Sequence, residues 1–366
     1  MNFFKQCTVS STRSQLRSRS SVPALGAAML ALVVASSCSA KPMDRAELVL
    51  GTVCSIRIQD GGSDRALDAV FARLKEIDAE MSANSADSVI AAVNKAAGVS
   101  PVPAPDDLRY VISRALHYAK ISGGAFDPTI GPVVKLWNIG MDGERVPGAD
   151  EIKEALTLVD YRDVVLDNAA GTVFLRRPGM LLDLGAIAKG YAADEAELLL
   201  LKHRVKGAVI DLGGNVKVTG KKPDGTKWRI GIQNPFDDRG DRLGIATLEG
   251  GYTVVTSGVY ERYFTGVNGE HYHHILGTRT GYPVQNGLVS VTIISKSSVD
   301  ADGLSTTVFA LGLQDGMALV ESMPGIEAVF VDSDKRVYMS TGAKAVFKID
   351  DPSFTLAEMP AGSAVP

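Results

Sequence analysis

Apolar residues recur along much of the chain at the spacing of an amphipathic helix. One such segment begins at Asp64, and its apolar positions lie three or four residues apart, so that they share one face. These positions are Leu67, Val70, Phe71, Leu74, Ile77 and Met81. Similar patterns predict five further helices. One ends before Gly98, one begins after Pro105, and the others cover residues 151–159, 301–313 and 315–323.

Runs of apolar residues bounded by turn residues predict the strands. They cover residues 47–58, 164–175, 207–218, much of 219–294, 326–331 and 337–339. The Asn268-Gly269 pair is the strongest hairpin signal in the chain. Two Gly and two Pro between residues 124 and 137 predict that this segment forms no regular element. Because the strands come in long runs instead of alternating strictly with helices, we expect one α+β domain at residues 47–350, with a mainly antiparallel sheet flanked by helices.

The composition is that of an ordinary globular protein. The chain has 366 residues, of which 45% are hydrophobic and 22% are charged, and its formal net charge is -4. Because basic residues are not in excess, nucleic acid is not an expected partner. The three cysteines, Cys7, Cys38 and Cys54, do not have the number or spacing of a disulfide framework or a zinc site.

The N-terminal residues have the pattern of an export signal. Basic residues at Arg13, Arg17 and Arg19 precede an apolar run at residues 22–35, which is shorter than a typical transmembrane helix. Small residues and then Cys38 follow the run, as in a bacterial lipoprotein signal. Cleavage without lipidation is the alternative.

This pattern sets the expected organisation and location of the protein. We expect an export signal at residues 1–38, a tether at 39–46 and a frayed tail at 351–366. The domain would then lie on the periplasmic side of the bacterial inner membrane. A lipid on Cys38 would anchor it there without a transmembrane helix.

Candidate chemistry first appears at residues 180–191. The apolar positions predict a short strand, a Gly turn and the start of a helix, with one carboxylate, Asp183, and one ammonium, Lys189. A junction between a strand and a helix presents free N–H groups and the positive end of the helix dipole, so it suits a phosphate. The alternative is an ordinary connection that carries an unrelated acid and base.

A second candidate lies on the helix predicted at residues 301–313. Asp302 and Thr306 are four residues apart and project from the same face, with Ser305 beside them. A carboxylate and a hydroxyl near a helix start suit Mg²⁺, which prefers oxygen ligands and shares substrate phosphates. The alternative is that Asp302 only complements the helix dipole.

A cluster of histidines is the third candidate, since three of the five histidines fall within four residues. On a strand, His271 and His273 would share one face, while His274 would point to the other. Two histidines on one face could bind zinc, but the sequence places no further ligand nearby. His274 beside phosphates is the candidate general base, and the other two are expected to be solvated.

Taken together, these segments resemble the ApbE family of flavin transferases, which move FMN from FAD onto a Ser or Thr of an acceptor protein. The resemblance runs from residue 50 to residue 312, in order and with the expected gaps. Its segments are residues 51–52, 123–132, 183–190, 211–214, 256–258, 274–275, 279–283 and 301–304. The resemblance implies a T-fold-related domain with FAD as substrate, Mg²⁺ as cofactor and acceptor flavoprotein subunits as partners.

The resemblance also implies roles for individual residues. Mg²⁺ would lie between the Ala186 carbonyl, the Asp302 carboxylate and the Thr306 hydroxyl. Ser305 would be a further oxygen on the metal side, and His274 would take the proton from the attacking hydroxyl. FAD would contact Leu50, Asn84, Ala125, Phe126, Asp127, Asp183, Lys189, Ser257, His274 and Ile275.

The chain departs from the family pattern at three places. Leu50 stands where Met is common, and Gly277-Thr278 replace an Asp-Pro pair after the histidine. Asn84 stands where many transferases have Tyr, which leaves more room for water or a second metal ion. Because some family members with Asn hydrolyse FAD to FMN and AMP, an FAD pyrophosphatase is an alternative function. A flavin-binding lipoprotein without turnover is another.

Overall fold

A nine-stranded sheet is the largest element of this computed structural model, which describes residues 42–237, 240–267 and 269–360. In chain order the strands are β1 (Met43–Val49), β2 (Thr52–Asp60), β3 (Val102–Pro103), β4 (Val164–Asp167), β5 (Thr172–Leu175), β6 (Gly207–Leu212), β7 (Asn215–Gly220), β8 (Trp228–Gln233), β9 (Arg242–Leu248), β10 (Thr253–Gly258), β11 (Tyr263–Thr265), β12 (His271–His273), β13 (Leu288–Ser295), β14 (Glu327–Asp332), β15 (Arg336–Met339), β16 (Phe347–Ile349) and β17 (Thr355–Leu356). The large sheet has the order β1-β2-β6-β7-β10-β13-β14-β15-β17. Its neighbours are antiparallel, except that β15 and β17 are parallel. Smaller sheets have the orders β16-β9-β8, β3-β5-β4 and β11-β12.

The longer helices cover one face of the large sheet. In chain order the helices are α1 (Asp64–Met81), α2 (Val89–Lys95), α3 (Asp106–Ile121), α4 (Gly131–Trp137), α5 (Ala149–Leu156), α6 (Ala188–Lys202), α7 (Ser298–Leu311), α8 (Leu313–Glu321) and α9 (Ala343–Val346). Helix α6 packs against both α1 and α7, and α7 lies on β10 and β13. The α+β fold with a mainly antiparallel sheet, which the sequence predicts, is confirmed.

Both faces of the large sheet are buried. On β13 the adjacent residues Ile293 and Ile294 point to opposite faces, because side chains alternate along a strand. Ile293 joins the core under the helices, and Ile294 joins a second core under β8 and β9. Phe330 and Val329 divide between the same two cores. This double burial explains why these strands have continuous apolar sequences instead of alternating ones.

The strongest sequence patterns correspond to observed elements. The helix predicted from Asp64 is α1, and its six predicted apolar positions are all buried. The Ser63 hydroxyl caps this helix by accepting the Ala66 N–H. The predicted hairpin at residues 164–175 is formed by β4 and β5.

The Gly- and Pro-rich segment differs from its prediction, because residues 131–137 form the helix α4. Pro132 lies in the first turn of this helix. A proline in the first turn costs no hydrogen bond, since the N–H groups there have no partner within the helix. The proline therefore starts a helix that the sequence led us to exclude.

The strand predicted before Asp183 is also absent as a regular element. Only a single bridge joins Leu181 to Ile130 there. The side chain of Asn94 bonds both the N–H and the carbonyl of Leu182, at 2.7 and 3.0 Å. These groups are consequently not available to pair with another strand.

The domain boundaries differ from the prediction at both ends. Strand β1 begins at Met43, so the second half of the tether predicted at residues 39–46 belongs to the sheet. Strand β17 pairs with β15, so part of the tail predicted at residues 351–366 is ordered within the sheet.

Some predictions fall on residues that the structure does not describe. They are the export signal at residues 1–38 with its Cys38, the start of the tether at 39–41, Asn268 of the hairpin signal, and residues 361–366. Among the helices within the described ranges, none combines the length and the apolar character that a membrane span requires.

Helices α6 and α7 approach each other most closely at Gly190. A Cβ atom at this position would lie 2.2 Å from the Ser298 carbonyl oxygen and 2.7 Å from the Cβ of Asp302. Real Cβ atoms do not approach backbone atoms so closely, so only glycine fits between the two helices.

Replacing Gly190 by Ala should lower the free energy of unfolding by at least about 2 kcal/mol, because the added methyl group forces α6 and α7 apart. Urea unfolding followed by circular dichroism measures this change. Gly231→Ala on β8 is the control, since a Cβ there meets no atom closer than 3.7 Å. Equal unfolding midpoints for the two variants would contradict the close packing described here.

Candidate active site

Asp302 is the centre of the candidate site. It lies in the second turn of α7 and is only 4% exposed. Its Oδ2 accepts the Gly190 N–H at 2.8 Å, and its Oδ1 lies 3.7 Å from the Lys189 Nζ. A buried carboxylate needs compensating partners, and α6 supplies both of them. Oδ1 accepts no hydrogen bond from the described residues, so one oxygen of this fixed negative charge is open.

A different carboxylate caps the start of α7. The helix begins at Ser298, and the N–H groups of Ser298 and Val299 donate to the Asp194 carboxylate at 3.0 and 2.9 Å. Asp194 in turn pairs with Lys217, which is 1% exposed, at 2.9 Å. Since this arrangement satisfies the helix start, Asp302 is not needed to complement the helix dipole.

The Ala186 carbonyl provides a second open oxygen, on the turn that precedes α6. In a continuous helix this carbonyl would accept the N–H of Gly190, four residues further on. Gly190 donates to Asp302 instead, and no other donor among the described residues replaces it. The contact between α6 and α7 therefore frees a main-chain oxygen on the same turn.

Three hydroxyl groups form a chain beside Asp302. The Ser257 Oγ on β10 lies 2.8 Å from the Ser305 Oγ and 3.1 Å from the Thr306 Oγ1. Ser305 is fully buried and donates to the Asp302 carbonyl at 2.9 Å. Because each hydroxyl has a single proton, Ser257 then donates to Ser305, and Thr306 donates to Ser257. This order leaves the lone pairs of the half-buried Thr306 oxygen open.

These oxygens fit a hard divalent cation. Asp302 Oδ1, the Ala186 carbonyl and Thr306 Oγ1 are the oxygen types that Mg²⁺ prefers. Ser305, expected on the metal side, donates to the Asp302 carbonyl and accepts from Ser257, which leaves one of its two lone pairs free. Within the described ranges, no group of three or more His, Cys, Asp or Glu side chains could hold a metal ion. A cation here would therefore complete its shell with water and substrate oxygens.

A tight turn before α6 orients Lys189. The Asp183 Oδ1 accepts the Gly185 N–H at 2.7 Å, and the Gly185 carbonyl accepts the Lys189 ammonium at 2.8 Å. The N–H of Asp183 donates to the Pro128 carbonyl at 2.8 Å. Asp183 therefore organises the turn, while Lys189 faces Asp302.

The ring of His274 is oriented by a main-chain carbonyl. The backbone N–H and the Nδ1 of His274 lie 3.1 and 3.2 Å from the Arg262 carbonyl oxygen. Since a carbonyl can only accept, Nδ1 carries the proton and Nε2 keeps its lone pair. Burial is the main cause that lowers the pKa of His274 to about 4; the hydrogen bond to the Arg262 carbonyl opposes this shift, while the charges of Arg262 and Lys189 add to it. At neutral pH, His274 is thus a neutral imidazole whose Nε2 carries a free lone pair.

The other two histidines have different environments. His271 is exposed, as expected, but His273 is only 7% exposed, so the expectation that it is solvated is wrong. The ring of His273 packs 6.1 Å from that of Phe309 on α7. Its Nε2 donates to the Val284 carbonyl at 3.0 Å, and its Nδ1 accepts the Ile275 N–H at 3.3 Å. With both nitrogens occupied, His273 is not a metal ligand.

The loop after His274 is held without the Asp-Pro pair of the family pattern. The Thr278 hydroxyl donates to the Gly124 carbonyl at 2.6 Å, and the Gly277 N–H donates to the Tyr282 carbonyl at 2.8 Å. The first bond connects this loop to the segment that contains Ala125. Thr278 therefore fixes the loop by a side-chain hydrogen bond.

Arg262 also joins the His274 segment to the turn between β1 and β2. Leu50 and Gly51 have φ values of +56° and +67°, which suit a tight two-residue hairpin turn. The Arg262 Nη2 donates to the Gly51 carbonyl at 3.3 Å. Because the Arg262 carbonyl also holds His274, the hairpin that carries Leu50 is linked to His274 through a single residue.

Three residues that the resemblance places on FAD are mostly buried. Phe126, Asp127 and Ile275 are 5%, 7% and 5% exposed. The Asp127 carboxylate accepts both the N–H and the hydroxyl of Thr129 and also the Tyr161 N–H, at 2.6 to 2.9 Å. Burial raises the pKa of Asp127, and these hydrogen bonds oppose the rise. The buried side chain of Asp127 thus stabilises its own loop and links it to Tyr161 by hydrogen bonds.

Asn94 is a positioning residue that the sequence did not reveal. Through its two bonds to Leu182 it fastens α2 to the segment that leads into Asp183. Asn84 is exposed on the loop that precedes α2. An Asn within a short helix carries no sequence signal that would indicate such a bond.

Comparisons with known proteins find one family. A family model described as the ApbE family matches residues 50–330. A relative from Treponema pallidum, named FAD:protein FMN transferase, is 41% identical over 329 residues, which cover 85% of this chain and 90% of the relative. A relative from Klebsiella pneumoniae with the same name is 40% identical over 289 residues, which cover 79% and 89%. The crystal structure of the ApbE protein from Thermotoga maritima has a TM-score of 0.77 and 32% identity, and the match covers 84% of this chain and 99% of that one.

The lowered pKa of His274 predicts how stability depends on pH. The pKa is about 4 in the folded protein and about 6.5 in the unfolded chain, so the unfolded chain binds more protons between these values. The contribution of neutral His274 is therefore complete above pH 6.5 and is lost as the pH falls towards 4. His274→Asn should reduce this loss by on the order of 1–3 kcal/mol, measured by urea unfolding at several pH values.

His271→Asn is the control for this measurement, because His271 is exposed on the strand that leads into His274. It should keep the pH dependence of the unmodified protein. Burial also lowers the pKa of His273, so part of the decline remains in every variant. Identical pH dependences for the unmodified protein and His274→Asn would show that His274 is not desolvated as described.

Proposed function

The chain belongs to the ApbE family, and from this membership we propose that it transfers FMN from FAD onto a Ser or Thr hydroxyl of an acceptor protein. The name of its relatives, FAD:protein FMN transferase, supports an enzyme with FAD as substrate and a protein as acceptor. The observation that carries the finer proposal is the juxtaposition of open oxygens at Asp302, Ala186 and Thr306 with the ammonium of Lys189. Such a group suits the pyrophosphate of FAD.

His274 is the base in this proposal. Its Nε2 takes the proton of the acceptor hydroxyl while that oxygen forms a bond to the phosphorus of the FMN half. The bond from this phosphorus to the bridging oxygen breaks, and AMP leaves with the electron pair. Because His274 is neutral near pH 7, no proton has to be removed from the base before the reaction.

In this proposal, Asp302 helps to bind the cation that neutralises the pyrophosphate, and Lys189 binds the pyrophosphate directly. Asp302 Oδ1, the Ala186 carbonyl and Thr306 Oγ1 would hold Mg²⁺. Because the Thr306 hydroxyl donates its proton to Ser257, its lone pairs stay free for the ion. When bound, the ion supplies neutralisation of the negative charge that develops on the phosphates. Lys189 donates to phosphate oxygens from the same side.

Export and anchoring remain a proposal that rests on the sequence. The basic residues before residue 22, the short apolar run and Cys38 support a lipoprotein on the periplasmic side of the bacterial inner membrane. In that location the substrate hydroxyl would belong to an acceptor flavoprotein subunit that is exposed on the same side.

The transferase proposal is tested by incubating the protein with FAD, Mg²⁺ and an acceptor domain that carries the target Thr. The acceptor should gain the mass of one FMN, and His274→Ala should lower the rate by at least about a hundredfold, because a positioned base contributes that much. Mass spectrometry of the intact acceptor measures the gain. His271→Ala is the matched control and should retain transfer. Transfer at the unmodified rate by His274→Ala would exclude His274 as the base.

A second activity, hydrolysis of FAD to FMN and AMP, is favoured by the side chain at residue 84. Asn84 is exposed and makes no hydrogen bond to the described residues, so no large side chain covers the site from this loop. Water could then take the place of the acceptor hydroxyl.

Asn84→Tyr should reduce the release of FMN and AMP in the absence of acceptor by at least about tenfold, because an aromatic ring there would restrict the access of water. Chromatography of the free nucleotides measures the release. Ala83→Tyr places the same ring one position earlier in the same exposed loop and should have a much smaller effect. If both variants hydrolyse FAD like the unmodified protein, residue 84 does not control access.

A further inference from the structure

The ammonium of Lys189 lies where a cation is needed to balance Asp302. The Asp302 carboxylate is buried, and among the described residues Lys189 is the one cationic side chain that pairs with it, at 3.7 Å. The Gly185 carbonyl holds the same ammonium at 2.8 Å. The charge of Asp302 is therefore already compensated in this state of the protein.

Lys189 and a divalent cation would compete for the same oxygen. The Gly190 N–H bonds Oδ2 of Asp302, whereas Oδ1 accepts no hydrogen bond from the described residues and is the more open oxygen for a metal. Oδ1 is also the oxygen that faces Lys189. A cation bonded to Oδ1 would lie within a few ångströms of the ammonium, where two positive charges repel each other strongly at the low polarity of a buried site.

The backbone at this point is fixed, while the lysine side chain is not. Gly190 packs without space for a Cβ, and its N–H bonds Asp302, so the main chain of α6 is held against this carboxylate. The side chain of Lys189 is 25% exposed, and it has rotatable bonds that allow the ammonium to move while its Cα stays in place. A bound diphosphate would offer this ammonium a new negative partner.

We propose that Lys189 substitutes for the divalent cation at Asp302 while no nucleotide is bound, and that it moves to the diphosphate when the nucleotide arrives. This inference rests on the proposed function, which places the cation at Asp302. Binding of the metal and binding of the diphosphate then depend on each other. The diphosphate draws Lys189 away from Asp302 and so opens the position of the metal, and the metal displaces Lys189 towards the diphosphate. Free Mg²⁺ then binds weakly to the empty protein.

Two binding measurements on the full chain test this proposal, and neither depends on catalysis. Isothermal titration calorimetry is performed with Mg²⁺ alone and, separately, with ADP in the absence of metal. Lys189→Met should bind Mg²⁺ at least about fivefold more tightly, because the competing charge is gone. The same variant should bind ADP at least about fivefold more weakly, because the diphosphate loses its cationic partner.

The opposite signs distinguish this role from a structural one, since a lysine that only supports the fold would weaken both ligands when it is removed. Lys189→Arg keeps the positive charge and should leave Mg²⁺ binding as weak as in the unmodified protein. Lys202→Met, at the exposed far end of the same helix, changes the net charge equally and should affect neither ligand. Lys189→Gln is a second neutral variant with the same expectation as Lys189→Met, should the latter fold poorly.

Unchanged or weaker Mg²⁺ binding by both neutral variants would overturn the proposal. Its failure is distinct from a failure of the proposed function. A protein that shows the opposite changes but gives no transfer to an acceptor would refute the transferase and leave the role of Lys189 intact. Conversely, if the unmodified protein transfers FMN to the acceptor while Lys189→Met leaves the Mg²⁺ affinity unchanged, that result would refute only the role of Lys189.

Discussion

The contact between α6 and α7 at Gly190 is the constraint on which the site depends. With no side chain at this residue, the main chain of α6 comes close enough for its N–H to bond the buried Asp302 carboxylate. The same bond takes that N–H away from the Ala186 carbonyl. One close approach therefore fixes a negative charge, opens a carbonyl oxygen and brings Lys189 to the carboxylate. Each of these features would be lost if the helices stood one side chain further apart.

Charged pairs on two sides of α7 maintain this approach. On one side, Asp194 of α6 bonds the first N–H groups of α7 and is itself paired with the buried Lys217. On the other side, Asp300 in the first turn of α7 accepts from Tyr118 at 2.8 Å and pairs with Arg114 of α3. Partly buried pairs of this kind contribute little net stability but define one arrangement of the elements that carry them. Here the element is the helix that presents Asp302 and Thr306, so the pairs determine where two open oxygens lie.

The sequence was most informative where a single element decides the outcome. The apolar spacing of α1 and the spacing of Asp302 and Thr306 are local properties, and both could be predicted correctly because a helix fixes which residues share a face. Contacts between distant segments were not predictable. Asn94 reaches Leu182 across 88 residues, and this bond removes the strand that the apolar pattern indicated.

The same limit applies to single side chains in the site. Burial of His273 depends on how the β11–β12 hairpin lies against α7, which periodicity does not report. Ser305 was expected on the metal side from the family resemblance, and the structure adds that its hydroxyl bonds Ser257 on β10. The segments that match the family pattern therefore indicated which parts of the chain meet. The partner and direction of each hydrogen bond could be read only from the three-dimensional structure.

The bond from His274 Nδ1 to the Arg262 carbonyl has a consequence for how the site tolerates genetic change. The acceptor is part of the main chain, so every amino acid at residue 262 presents the same oxygen. Mutation of that codon can remove the guanidinium and its bond to Gly51, but it cannot reverse the tautomer of the imidazole. The tautomer of His274 is thus determined by the path of the backbone, and only an insertion, a deletion or a substitution that reroutes the hairpin would change it.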